Sequence, residues 1–197
     1  MSVVSFDAEG PYPLIAITNT TCDFHDPEKF SQWFSTDLAL SHNVILRALN
    51  SVWLNAPLVA PEDVQDFAGY GLACASMIRM THQELQENVI FPRLQETQNQ
   101  KVDMRANVVQ HLAFEKPLDA FERYLRDVHD EKQEYDSEKI LCLRAELGIK
   151  LVDHLHSEVL HGDYFLDQFV ENVFQACDAL SQDAVHPFKR GAKRSGP

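Results

Sequence analysis

Apolar residues recur at helical spacing in four long stretches of the chain. Phe30, Phe34, Leu38, Ile45 and Leu49 form the first stripe, which continues to about Asn55. Asp26-Pro27-Glu28 marks its start, with an N-cap acid, a proline whose missing N–H costs nothing there, and an acid in the first turn. Pro57 and Pro61 end this helix, and Pro61-Glu62-Asp63 opens a second that runs to about Thr97. Ala75, Ile78, His82, Leu85 and Val89 share its stripe, Gly69 and Gly71 weaken its first half, and Pro92 predicts a kink near its end.

The third helix spans about 103–130, with Met104, Val108, His111, Glu115, Leu118 and Leu125 on one stripe and Phe121 beside it. Pro117 predicts a kink inside it. The polar stretch 129–137 reads as a loop, and Ser137 caps a fourth helix that continues to about Ala179 with bends at Gly148 and Gly162. Residues 1–26 read as an extended arm and 181–197 as a polar tail, and no strand alternation or tandem repeat is evident. Four long amphipathic helices over 27–180 with short connections predict an all-α fold, an antiparallel up-down-up-down four-helix bundle with an extended N-terminal arm.

Composition narrows the function classes. Thirty Asp and Glu oppose 17 Lys and Arg in 197 residues, a net charge of −13, which argues against a nucleic-acid partner. The basic residues Lys189, Arg190, Lys193 and Arg194 cluster only in the tail. Four widely spaced cysteines without a CxxC, no signal-peptide pattern and no long uncharged apolar run predict a cytoplasmic chain with reduced thiols and no membrane span.

The informative residues are polar groups on the apolar stripes. His42 lies on the first stripe, His82 on the second, His111 and Glu115 on the third, and His154 and Glu158 on the fourth. Both His-x3-Glu pairs place two ligating groups on one helix face, one turn apart. A buried carboxylate or imidazole costs several kcal/mol unless it is paired or bound to a metal. One inward histidine is more often a satisfied core residue than a ligand. Four helices each contributing one near mid-length reverse those odds and point to a metal centre between them. His161, three residues after Glu158, shares that face as a further ligand or as a partner of one. His156 points away, and His25, His129 and His186 fall in loops or the tail.

The segments "LALSHNVIL", "THQELQENVIFPRLQE", "VVQHLAFEKPLDAF" and "LVDHLHSEVL" resemble the hemerythrin-like (HHE cation-binding) family over about residues 30–170. The most specific feature is a histidine followed nine residues later by Phe-Pro, here His82 and Phe91-Pro92. The resemblance implies a non-haem diiron site with His42, His82, His111, His154 and Glu158 at ligand positions and Glu158 as a bridging carboxylate. Two positions depart from the family pattern. Gln86 stands where the family has a second bridging Glu, with Glu87 beside it. Gln86 is therefore a weak ligand, a hydrogen-bond partner of a metal-bound water, or the mark of one lost metal position. Glu87 lies about 100° further round a straight helix and reaches the metals only if that helix is distorted. Glu115 fills the position of a ligating histidine in oxygen-carrying hemerythrins, which would make the site four His and two carboxylates.

The resemblance implies two iron ions as cofactors, with manganese or a single metal as alternatives, and dioxygen as a partner. The first functional reading is a diiron protein that binds and activates O2, as an oxidase or monooxygenase on a small apolar molecule. The second is non-catalytic iron or oxygen binding, sensing or storage.

Overall fold

The computed structural model describes residues 10–17, 27–92 and 105–160, which form helices and one extended segment, with no strand among the described residues. The first helix, α1, is Pro27–Asn55. Two short 3₁₀ turns, Ala56–Leu58 and Pro61–Asp63, each with proline near the start, carry the chain to α2, Val64–Met77. Both prolines lack the N–H that would continue α1, so the chain turns there. Helix α3 is Arg105–His129, with Pro117 inside a continuous helix, and α4 is Ser137–Leu160, continuous through Gly148.

Beyond Met77 the second helix does not stay α. Ile78–Glu84 and Gln86–Ile90 are π-helical, with i→i+5 hydrogen bonds that need more than the 3.6 residues of an α turn. The sequence places Leu85 and Val89 on the inward stripe, but they are 45% and 50% exposed. Gln83, Gln86 and Phe91 are buried instead. The wider π turn shifts the face shared with His82 from i+3 and i+4 to i+4 and i+5, which turns Leu85 out, keeps Gln86 in and brings Glu87 inward.

The connection between α3 and α4 is tightly specified. Glu131 has φ 58°, and its N–H bonds Val128 O at 3.1 Å while Lys132 N–H bonds Asp127 O at 2.8 Å. Those two bonds are the paired closures of a Schellman motif. The cap of α4 is Asp136, not Ser137, because Asp136 Oδ1 accepts from the N–H groups of Glu138 (2.9 Å) and Lys139 (3.1 Å). The Tyr124 hydroxyl holds this corner, donating to Asp136 O at 3.1 Å and accepting from Asp136 N–H at 2.7 Å.

α2 packs along α3, α3 along α4 and α4 along α1. The apolar core between them includes Leu46, Leu49, Phe114, Leu118, Phe121, Leu125, Leu147 and Leu151, all fully buried. Cys74, buried, and Cys142, exposed, are free thiols. No helix among the described residues is long and apolar enough to cross a membrane.

Residues 10–17 lie extended against α1 and α4, held by two asparagines that the helical pattern alone would count as misplaced polar groups. Asn43 Oδ1 accepts from Ile15 N–H at 2.7 Å while its Nδ2 donates to Ile15 O at 2.9 Å. Asn50 makes the same pair with Tyr12, at 3.1 and 2.8 Å. Seven residues of helix rise about 10.5 Å, and three extended residues span about 10 Å, so the two amides meet the strap in register. Gly10 permits the strap to begin, having φ +133°, where a Cβ would meet Asn50 Cγ at 2.5 Å. The Tyr12 ring lies under the buried Arg144 guanidinium, 4.4 Å from its centroid, and its hydroxyl donates to Arg144 O at 3.3 Å. His156, which the sequence assigns to the surface, donates from Nε2 to Pro13 O at 3.1 Å.

Candidate metal centre

Past the apolar core, the interior becomes a cluster of imidazoles contributed by all four helices. His42, His82, His111 and His154 are buried together with Glu158. Ligand-type atoms of His82, His111, His154 and Glu158 all lie within 4.8 Å of one another. His154 Nε2 is 2.8 Å from His82 Nε2 and 3.1 Å from His111 Nε2. Glu158 Oε1 is 3.5 Å from His154 Nε2, and Glu158 Oε2 is 3.8 Å from His82 Nε2 and 3.2 Å from His42 Nε2. Phe114 floors the cluster, its ring 5.5 Å from that of His111 and 5.7 Å from that of His154.

What surrounds the imidazoles decides which nitrogen faces inward. A neutral imidazole has one N–H and one lone pair, so an acceptor placed at Nδ1 leaves the Nε2 lone pair free. His42 Nδ1 donates to Leu155 O at 3.0 Å, His111 Nδ1 to Glu87 Oε1 at 2.7 Å, and His154 Nδ1 to Gln110 Oε1 at 2.8 Å. His42 cannot spend the same proton twice. With it on Leu155 O, His42 Nε2 faces Glu158 Oε2 as one acceptor against another, and it has no hydrogen-bond donor. At His82, the Gln86 amide nitrogen lies 3.3 Å from Nδ1, while Gln86 Oε1 is buried without a partner. The same Gln86 Nε2 also donates to Glu158 Oε2 at 3.4 Å, and exchanging the two ends of the amide would set its oxygen against that carboxylate, so the outer-acceptor arrangement holds at three of the four rings.

The charge states agree with this geometry. Burial lowers His82 to about 3 and His154 to about 4, in both cases against the attraction of Glu158 and with help from neighbouring histidines. Burial alone would raise Glu158, but the imidazoles of His42, His82 and His154 packed around it outweigh burial and hold the carboxyl below its usual range. At neutral pH His82 and His154 present lone pairs and Glu158 presents an anion. Ligand atoms about 2.0–2.2 Å from a shared ion stand about 2.8–3.6 Å apart at right-angle to tetrahedral geometry. The three separations at His154 fall in that range, while the four donors as a group spread to 4.8 Å, and imidazole with carboxylate is a donor set that suits a metal ion.

The remaining sequence candidates distribute differently. Gln86 is buried beside His82, with its Nε2 3.4 Å from Glu158 Oε2. Glu87 is brought inward by the π-helical turn, yet its carboxylate engages the outer nitrogen of His111 rather than the cluster centre. Glu115 is half-buried on α3 and is not one of the four grouped donors. A straight α-helix carries Phe114 as well as Glu115 to this level, and Phe114 takes the fully buried position. His161 lies outside the described residues. Sequence reasoning missed Gln110 and the Leu155 carbonyl: a glutamine next to a histidine, and a backbone oxygen, carry no periodic signal. The buried Phe91 stacks on His111 at 5.7 Å and 22°.

No family model matches the chain, and no solved structure matches it. Over 154 residues it is 29% identical to the dimeric xanthone biosynthesis cluster protein R11 of Cryptosporiopsis sp. (strain 8999), covering 77% of this chain and 56% of that protein. The chain thus spans little more than half the length of that relative.

Proposed function

We propose that the chain is a hemerythrin-like metal protein whose four helices form an antiparallel up-down-up-down bundle around an iron centre that binds and activates O2. One observation carries the reading: Nε2 atoms of His42, His82 and His154 lie 3.2–3.8 Å from the Glu158 carboxylate and that of His111 lies 3.1 Å from His154 Nε2, while oxygen acceptors at Nδ1 hold His42, His111 and His154 in that tautomer. Such outer partners fix ring orientation and raise ligand basicity. The bundle topology is supported by placement. His82 lies eighteen residues beyond the start of α2 at Val64, His111 eighteen before the end of α3 at His129, and His154 seventeen beyond the start of α4 at Ser137. Helices running in alternating directions bring those positions to one level.

Iron bound here supplies the electrons and open coordination positions that dioxygen reduction requires. The protein's own contribution is different. Glu87, Gln110 and the Leu155 carbonyl orient the rings, Phe114 and Phe91 exclude water beside them, and Glu158 offsets cationic charge. Use of O2 on a small apolar, aromatic molecule is favoured over storage by two observations. The relative's name places it in a xanthone biosynthesis cluster. Between α1 and α2 runs an open, mainly apolar groove of about 480 Å³ lined by Val44, Arg47, Ala48, Ser51, Tyr70, Ala73, Cys74 and Met77.

Protein purified without a histidine tag and loaded anaerobically with Fe(II) should retain iron, and a diferric form should show oxo-to-iron charge-transfer bands. Aerobic consumption of O2 with an added reductant and an aromatic substrate is expected; reversible O2 binding without consumption would defeat the catalytic part of the reading. A metal content near zero would defeat all of it.

A further inference from the structure

Arg144 stands on the inward face of α4, four residues after Ile140 and three before Leu147, both fully buried. It is itself only 4% exposed. Its guanidinium makes one long hydrogen bond, from Nη1 to Leu49 O at 3.5 Å, and its Nε–H has no acceptor. Burial lowers the guanidinium from its ordinary value, and among the described residues no carboxylate works against that. Arginine keeps its charge inside proteins, so α4 carries a buried cation without a counter-ion, a costly arrangement unless something supplies one.

What covers this cation is the ring of Tyr12, which meets it with a π face, 4.4 Å from the ring centroid. The Tyr12 hydroxyl goes to Arg144 O and leaves the guanidinium N–H groups alone. Gly148 makes the room, since a Cβ there would lie 1.7 Å from the hydroxyl oxygen and 2.2 Å from Cζ. Beneath the strap, then, is a slot the size of one phenol ring, floored by a glycine and bounded by a charge that the ring does not neutralise. Tyr12 is half-buried, so the slot opens to solvent when the ring leaves it.

We propose that this slot is a binding site for an aromatic carboxylate, whose ring replaces that of Tyr12 over Gly148 and whose carboxylate pairs with Arg144. A carboxylate can accept two parallel N–H bonds from the edge of a guanidinium, including the Nε–H that the strap leaves unspent. That pair is what the ligand gains over Tyr12, and a neutral ring of the same size gains none of it. Tyr12 is the chain's own occupant of the site, exchanged for the ligand, so binding releases the strap from Arg144. Arg144 precedes His154 by ten residues, about 15 Å along α4, and the site does not depend on the metal centre.

The test is equilibrium dialysis of the full-length, chelator-stripped protein, in which no metal is left to take a carboxylate, against 4-hydroxybenzoate and the neutral 4-methylphenol. The wild type should bind one equivalent of 4-hydroxybenzoate at least about tenfold more tightly than 4-methylphenol. Tyr12→Ala, which removes the competing ring, should tighten 4-hydroxybenzoate about tenfold or more. Arg144→Met should weaken it by at least about tenfold, and Arg144→Lys, which keeps the charge without the fork, should bind between the two. In the wild type, saturating 4-hydroxybenzoate should also accelerate amide exchange at Tyr12 by more than about tenfold while the Leu151 amide stays protected. Circular dichroism checks that each variant keeps its helices, and if Arg144→Met does not, the two compounds on the wild type and on Tyr12→Ala decide. Equal affinity for the two compounds, undiminished binding in a folded Arg144→Met protein, or no binding of 4-hydroxybenzoate to Tyr12→Ala would each overturn the site and leave the metal centre untouched.

Discussion

Glu87 Oε1 accepts a 2.7 Å hydrogen bond from His111 Nδ1, pairing a half-buried carboxylate with a fully buried imidazole. Glu87 is thereby an orienting residue for a candidate ligand. Removing it should leave the helices intact and weaken the metal grip of His111. Glu87→Ala should lower the metal affinity about 10–100-fold, and Glu87→Gln, which keeps an acceptor oxygen, should lower it less. Competition with a calibrated chelator measures both; an unchanged affinity in Glu87→Ala would remove this role.

Metal should couple to stability, since the four grouped donors come from the second, third and fourth helices, which an ion would tie together. A ligand at about 100 times its Kd stabilises by about 2.7 kcal/mol, and about 2–4 °C of Tm accompanies each kcal/mol in a chain of this size. Calorimetry of apo and Fe(II)-loaded protein should differ by about 5–10 °C or more. His154→Ala, which removes the donor nearest to two others, should abolish that difference.

The apo protein should lose stability in mild acid. His82 and His154 titrate at about 3 and about 4 in the fold, against 6.5 for an ordinary imidazole. Below about pH 6.5 the unfolded chain therefore binds protons that the native cluster refuses, and stability falls as pH falls through that window. Glu158, held below its ordinary range, adds loss of the same sign at the acid end. Tm measured from pH 7.5 to 4.5 should decline steadily, and replacing both His82 and His154 by Asn should flatten the decline above pH 5.

The N-terminal strap should detach without unfolding the helices. Asn43→Ala and Asn50→Ala together remove four hydrogen bonds to Tyr12 and Ile15, each worth about 0.5–1.5 kcal/mol. Gly148→Ala should have a similar effect, since a Cβ there would lie 1.7 Å from the Tyr12 hydroxyl oxygen. Amide exchange at Tyr12 and Ile15 should accelerate by more than tenfold in either variant while the Leu118 and Leu151 amides stay protected.

Much of the architecture is legible in the pattern of residues because its causes are local. The start of α1 at Pro27 and its end at Asn55 follow from proline chemistry, and the core positions of α3 and α4 follow from the helical period. His42, His82, His111, His154 and Glu158 stand out in the sequence because polar groups on an apolar face demand a reason. The α4 cap was less legible: Asp136 and Ser137 are both good caps by type, and hydrogen bonds to the N–H groups of Glu138 and Lys139 decide for Asp136.

Residue order by itself therefore determined where helices begin, which faces are apolar and which ligand-type side chains those faces carry. Tertiary structure decided how the second helix is wound. Its i→i+5 hydrogen bonding turns Leu85 and Val89 out and brings Glu87 in beside Gln86, and short-range periodicity does not encode that change. A contact remote in sequence, the bond from His111 to Glu87 across 24 positions, accompanies the wider winding. The outer partners Gln110 and Leu155 O, and the asparagines holding Tyr12 and Ile15, belong to the same class. Each buried polar group must find a partner, but only the packed chain determines which one.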